Sequence, residues 1–197
     1  MIKSIASSIL FLTLCSTNAF AQDDYNYYAG VAVSSHTFKL DNEFKLYDSG
    51  EFKSTVLTPH VGYQFNQYVA LEARFGFGSG KDTEVIASQL ITITDRYELE
   101  NQQGLLLKLQ YPLSEGFSLY ATAGYFDSKF KVRSTYTQIN SGLTQSSDGS
   151  FSKKGASFGV GAAYFINQNW QLSSEFQYFD QGREKSEALS VAISYYF

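Results

Sequence analysis

The sequence predicts an all-β chain closed into an eight-stranded antiparallel up-and-down transmembrane β-barrel. Three observations predict it. Eight separate stretches carry a hydrophobic pattern of period two, the connections between them alternate between short and long, and the apolar face of every stretch carries no charge.

The alternation is clearest in "YVALEARFGFG". Val69, Leu71, Ala73, Phe75 and Phe77 fall on one face; Ala70, Glu72, Arg74, Gly76 and Gly78 fall on the other. One face is apolar and the other small or charged, which is the signature of a strand. The first strand, "AGVAVSS", sets Ala29, Val31 and Val33 against Gly30, Ala32 and Ser34. The second sets Leu57, Val61, Tyr63 and Phe65 against Thr58, His60, Gly62 and Gln64. The fourth sets Leu105, Leu107, Leu109 and Tyr111 against Leu106, Lys108 and Gln110.

The fifth strand opposes Phe117, Leu119, Ala121, Ala123 and Tyr125 to Ser118, Tyr120, Thr122 and Gly124. The sixth opposes Phe158, Val160, Ala162 and Tyr164 to Ser157, Gly159, Gly161 and Ala163. The seventh opposes Trp170, Leu172, Phe176 and Tyr178 to Gln171, Ser173, Glu175 and Gln177. The eighth runs to the end of the chain, with Leu189, Val191, Ile193, Tyr195 and Phe197 against Ser190, Ala192, Ser194 and Tyr196.

Tight turns are expected at Asn66-Gln67, at "PLSEG" and at "INQN"; long polar loops are expected at about 39–52, 80–95, 132–152 and 180–186. Short turns at one end and long loops at the other mark a membrane barrel. A soluble ligand-binding barrel also has eight antiparallel strands. Against it stand the uncharged apolar face and the opposite face of Gly, Ala and Ser with a few charges, where a ligand-binding barrel would carry bulky apolar groups. Tyr63, Phe65, Tyr111, Phe117, Tyr164, Trp170, Tyr195 and Phe197 add to this: all lie beside the short turns or the C-terminus, as an interfacial aromatic girdle would. Pro59 cannot donate to a ladder, and a bulge is expected near the middle of the second strand.

Lys3, the apolar stretch Ile5 to Leu14 and Ala19-Phe20-Ala21 read as a secretory signal peptide over residues 1–21, cleaved before Gln22. The single cysteine, Cys15, lies inside it, preceded by Leu14 where lipidation would need a small residue. The barrel domain is expected over residues 22–197, with both termini in the periplasm and the long loops outside. No later stretch approaches 18 consecutive apolar residues, so no transmembrane helix is expected. A formal net charge of −4 with no Lys/Arg-rich patch argues against nucleic acid as a partner.

Four ionisable residues, Glu72, Arg74, Lys108 and Glu175, fall on the inward face. Buried charges must pair, and an eight-stranded barrel is just wide enough for side chains to fill. They are expected to form a lumen polar network that closes the barrel, with a gated narrow conduit as the alternative. His60 is expected as a hydrogen-bonded interior residue. His36, Ser79 and Asp82 could imitate a hydrolytic triad, but their separation is wide. "GFGSGKD" fails as a phosphate loop, because Phe75 stands where its first glycine is required and Asp82 follows Lys81. No metal-ligand spacing and no cofactor site is found.

The signal peptide, "GVAVSS", "PHVGYQFNQYVALEARFGFG", "GFSLYATAGY", "KGASFGVGAAYFINQNWQLSSEFQYFD" and "ALSVAISYYF" together resemble the small outer-membrane protein β-barrel family. Its members include the transmembrane domain of the major outer-membrane protein A and the Ail-type barrels of Gram-negative bacteria. The resemblance spans the mature chain and specifies fold better than function. It implies that Tyr195 and Phe197 form the terminal signal read by the outer-membrane assembly machinery, and it implies outer-membrane lipid as surroundings. No periplasmic peptidoglycan-binding domain is expected after the barrel, so cell-wall anchoring is not implied. The expected role is non-enzymatic, structural or adhesive, through exposed loops that contact host or environmental surfaces; a narrow porin-like channel and a lipid-modifying enzyme are the alternatives.

Overall fold

A computed structural model describes residues 27–39, 51–79, 82–87, 91–139, 143–182 and 184–197. The signal-peptide region and most of the first long connection lie outside the described residues. The strands are β1 (Tyr27–Lys39), β2 (Glu51–Asn66), β3 (Val69–Ser79), β4 (Asp82–Ala87), β5 (Ile91–Ser114), β6 (Phe117–Gln138), β7 (Thr144–Phe165), β8 (Trp170–Gln181) and β9 (Glu184–Tyr196). They form one antiparallel sheet in the order β3-β2-β1-β9-β8-β7-β6-β5-β4, and a β3–β5 pairing closes eight of them into a ring. β4 continues the track of β3 beyond residues 80–81, pairing with the upper part of β5.

Closure removes the edges that would otherwise expose unpaired backbone in lipid. β1 and β9 make the seam from Lys39↔Lys185 to Tyr28↔Tyr196. The last rung is Phe197 N–H donating to the Tyr27 carbonyl at 2.9 Å. Val31, Val33, Leu57, Val61, Phe75, Phe77, Leu105, Leu107, Leu109, Leu119, Val160, Leu172, Phe176, Val191 and Ile193 all project outward and are exposed to the surroundings of the barrel. An aqueous protein would not leave so continuous an apolar band uncovered, whereas hydrocarbon requires it.

Two of the short turns share one device. Asn66 Oδ1 accepts from the N–H groups of Tyr68 (2.8 Å) and Val69 (3.0 Å); Asn167 Oδ1 accepts from Asn169 (3.0 Å) and Trp170 (2.9 Å). Both are Asx turns, which the repeated Asn-Gln pairs at 66–67 and 167–168 encode. In the third, Gly116 supplies a φ of +84°.

The structure corrects four expectations. Within the predicted loops 80–95 and 132–152, residues 82–87, 91–95, 132–138 and 144–152 are strand and extend the β4–β5 and β6–β7 pairs. The fourth connection contracts to a tight turn at Gly182, with φ +84°. Outside the membrane neither face need be apolar, so these Thr-, Ser- and Tyr-bearing segments keep β propensity while losing the alternation that reveals strands. Pro59 makes no bulge: it stays opposite Val31, and the β2–β3 ladder omits rungs at Thr58 and Pro59 without a shift between Leu57↔Phe77 and His60↔Arg74. An inserted residue would have turned His60 and all that follows to the opposite face. The fourth correction concerns the interior, which carries bulky apolar layers as well as small and charged residues.

Candidate functional site

The lumen is stacked in layers. At the short-turn end, Tyr28, Ala70 and Tyr196 form a floor with Phe165 against it, the Tyr28 and Tyr196 rings lying 4.9 Å apart. Above the charged middle sit Leu106, Phe126, Phe179 and Ala188. Above those, Phe38, Val56, Leu99 and Phe130 close the mouth, with Phe151 stacked on Phe130 at 5.2 Å. Gln102 and Gln181 both donate to Ser128 Oγ, at 3.0 and 2.9 Å, tying β5 to β8 through β6.

Of the four charged residues singled out, Glu72, Arg74 and Glu175 are in direct contact. Arg74 reaches Glu72 Oε1 through Nε at 2.5 Å and grips Glu175 across the lumen through both terminal nitrogens, at 2.7 and 2.9 Å. The planar guanidinium fork makes this two-point grip possible. Gln177 Oε1 accepts from Arg74 at 3.1 Å, and Thr122 Oγ1 donates to Glu175 at 3.4 Å. The Tyr28 hydroxyl donates to Glu72 Oε2 at 2.7 Å.

Lys108 lies opposite Ala70, one inward step from Glu72. It is buried, and among the described residues it makes no ion pair. Its ammonium instead lies over the Tyr120 ring, 4.4 Å from the centroid, with Tyr28 at 5.7 Å. The cavity these groups line measures about 30 Å³. That is room for about a single water molecule.

His60 is buried and shares a hydrogen bond with Ser194 Oγ at 2.9 Å. His36 faces inward between the rings of Phe38 and Phe179, its Nε2 3.0 Å from Ser34 Oγ. Ser79, on β3 with the outward parity of Phe75 and Phe77, is exposed. His36 and Ser79 therefore stand on opposite faces of the wall and form no triad; the side chain of Asp82 lies outside the described ones. Among the described residues no His, Cys, Asp and Glu cluster could hold a metal ion.

Sequence reasoning missed Tyr28, Thr122 and Gln177 as members of the network. The signal was available: Tyr28 has the parity of Gly30, and glycines opposite large inward rings mark where those rings lie. A Cβ on Gly62 would collide with the Tyr28 ring, and one on Gly161 would lie 2.5 Å from Tyr120 Cζ.

The predicted girdle residues gather at the short-turn end. Phe65 and Tyr63 are 5.0 Å apart and Tyr63 and Tyr27 4.9 Å; Trp170 and Tyr195 are 5.0 Å apart and Tyr195 and Phe197 5.2 Å. Tyr111 and Tyr164 are exposed there, and Phe117, half-buried, opens β6. A second outward belt of Phe77, Tyr125, Phe158 and Tyr178, which the sequence reading did not single out, lies toward the other end.

Beyond that second belt β4 to β7 rise well past the 12 residues of β8 and the 13 of β9, as β5, β6 and β7 run for 24, 22 and 22 residues. Their outward face is densely charged. Lys129 and Lys131 share Glu100 at 3.1 and 2.9 Å, Lys154 meets Asp127 at 3.1 Å, and Arg133 meets Asp148 at 2.6 Å. Lys131 and then Lys129 hold the Glu100 carboxyl below the usual carboxylate range, and Arg133 does the same for Asp148.

The closed ring and the outward apolar band together describe a bilayer-spanning barrel. Residues 7–197 match the family described as outer membrane protein beta-barrel domain. The chain belongs to this family. Its place is the outer membrane. Solved structures of the same fold include Neisserial surface protein A (TM-score 0.55, 14% identity, covering 87% of this chain and 97% of that one). OprG of Pseudomonas aeruginosa is similar at TM-score 0.54 and 13% identity, over 88% and 96% of the two chains. Ail, the attachment invasion locus protein of Yersinia pestis, is similar at 0.51 and 15%, over 87% and 99%. No curated protein sequence matches this chain.

Proposed function

We propose that this barrel is a non-enzymatic surface-interaction protein, with its lumen plugged and its projecting β4–β7 sheet turned outward from the cell. The observation that carries this reading is the contrast between the two ends. One end stops at tight Asx turns; the other raises a long charged sheet beyond the belt that marks the membrane boundary. Lipid does not require that extension, and ordering its backbone costs about 1–2 kcal/mol per residue, so a role in contact with something outside accounts for it. Ail, which shares the fold, has been solved with the heparin analogue sucrose octasulfate; a surface ligand is thus compatible with this architecture. The channel reading is disfavoured by a lumen whose charged layer leaves about 30 Å³ and is roofed by aromatic rings.

The test trims the extension without disturbing the barrel. Val132 and Gly149 face each other across β6 and β7, so residues 132–149 can be replaced by an Asn-Gly turn. Binding of expressing cells to host cells or extracellular-matrix coatings is then scored. The trimmed protein should assemble normally and lose binding; unchanged binding would sink the surface-interaction reading.

A further inference from the structure

The β6–β7 hairpin changes character toward its end. Its lower rungs are charged, with Lys129, Lys131 and Arg133 on β6 and Asp148 and Lys154 on β7. From Ser134 to Ser147 the sequence carries no charge at all. Within that run Tyr136, Ile139 and Leu143 are exposed, Leu143 over 70% of its surface. Tyr136 lies opposite Gln145 on β7 and Ile93 on β5, while Ile139 and Leu143 stand just beyond the last rungs of the hairpin.

An apolar end on a charged stalk marks a place of contact, and the barrel's own bilayer does not reach it. Tyr125 lies in the upper aromatic belt, and β6 runs on from there to Gln138. At about 3.4 Å per residue and a tilt of about 40°, this lifts the tip roughly 35 Å clear of the belt. We infer that the tip is a membrane-insertion site, and that its ligand is the lipid surface of an apposed cell. This rests on the surface-interaction reading and names the partner of the projecting sheet.

Three features favour lipid over a protein pocket. The first is the missing charge, since charged side chains are the costliest groups to bring into a bilayer. The second is that the hairpin satisfies its own polar groups. Thr135 Oγ1 and Ser146 Oγ share a hydrogen bond at 3.4 Å, as do Thr137 Oγ1 and Thr144 Oγ1. Gln138 N–H closes the ladder on the Leu143 carbonyl at 2.9 Å. Groups paired in this way lose less when water leaves. The third is size. Three apolar side chains on a narrow tip fall short of the about 800 Å² per partner of a standard protein interface, whereas a bilayer takes up apolar side chains without a matching surface.

The same geometry limits the depth. The β7–β8 ladder ends at Ala156↔Asp180, so among the described residues the far side of upper β7 has no ladder. Backbone groups on that side need water or headgroups. Ile139 and Leu143 therefore enter the acyl boundary, Tyr136 lies at headgroup level as interfacial tyrosines do, and the Ser and Thr rungs remain among the headgroups.

Protein-free vesicles test this. The full barrel is held in lipid nanodiscs, so that it cannot itself insert, and floated with phosphatidylcholine vesicles. The parent should bind them, and raising the salt concentration should not release it. Ile139→Ser combined with Leu143→Ser should weaken binding by at least about tenfold. Trp170 is the only tryptophan, so Leu143→Trp in a Trp170→Phe background reports on the tip alone; brominated vesicle lipid should quench it. No vesicle binding, binding released by salt, or binding indifferent to the double serine variant would overturn insertion. Cell binding separates the two readings. If trimming residues 132–149 abolishes it while the double serine variant leaves it intact, surface interaction stands and insertion falls. If the double variant loses cell binding but the parent ignores vesicles, the tip enters a protein pocket and insertion again falls. If trimming has no effect, the broader reading falls.

Discussion

Arg74 is the residue on which the charged layer turns, because two buried carboxylates from different strands converge on one guanidinium. A buried ion pair is weak evidence for net stability, yet breaking one is expensive because the surviving charge stays buried. Arg74→Ala should therefore lower stability by about 3–5 kcal/mol, read from urea unfolding in lipid vesicles. Lys108 makes no ion pair among the described residues, and Lys108→Met keeps its length against Tyr120. It should cost clearly less than Arg74→Ala; an equal or greater loss would show that Lys108, not Arg74, balances the carboxylates. The identity of the inward charges was legible from parity alone. Their partners were not, because parity assigns a face but no depth across the lumen, and nothing in the sequence links Arg74 to a glutamate 101 positions away.

At the scale of strands, the eight membrane-crossing elements were legible because hydrocarbon imposes a rule on every second residue. The upper halves of β5, β6 and β7 escape that rule, so Thr135, Thr137, Ser146 and Ser150 read as loop while the ladder carries them as strand. Their charged pairs make the extension sensitive to acid. Glu100 is held ionised by Lys131 and Lys129, so its contribution is present above the ordinary carboxylate pKa of about 4.3 and is lost as pH falls through its depressed value. Its carboxyl carbon should titrate by NMR at lower pH than in Lys131→Ala; no difference between the two would remove the lysine as the cause. The other end of the barrel makes a different demand. Phe197 donates the last seam bond, to Tyr27, and adds one ring to the Tyr195–Trp170 cluster, little beside the β1–β9 ladder. Trimming it should impair outer-membrane assembly in cells far more than refolding in micelles, if the terminal aromatic is the assembly signal; normal surface levels of the trimmed chain would count against that role.

For the whole molecule the decisive question is whether the ring is a conduit. Three apolar layers and one charged layer lie in series along the axis, so the barrier to an ion is set by the tightest of them. Removing one therefore gains little. The charged layer alone leaves about 30 Å³, and an ion passing it must displace a two-point guanidinium grip before meeting the Phe126–Phe179 pair, whose rings lie 5.1 Å apart. In planar bilayers the parent should show no steady conductance. Phe126→Ala should remain closed, because Phe38 and Phe130, with ring centroids 5.3 Å apart, still roof the mouth and Tyr28 and Tyr196 still floor it. Steady openings should require relief of the charged layer and of both aromatic layers above it, as in Arg74→Ala combined with Phe126→Ala and Phe130→Ala. Steady single-channel steps from the parent, or from Phe126→Ala alone, would show that the layers move together as a gate and would restore the channel reading that their packing argues against.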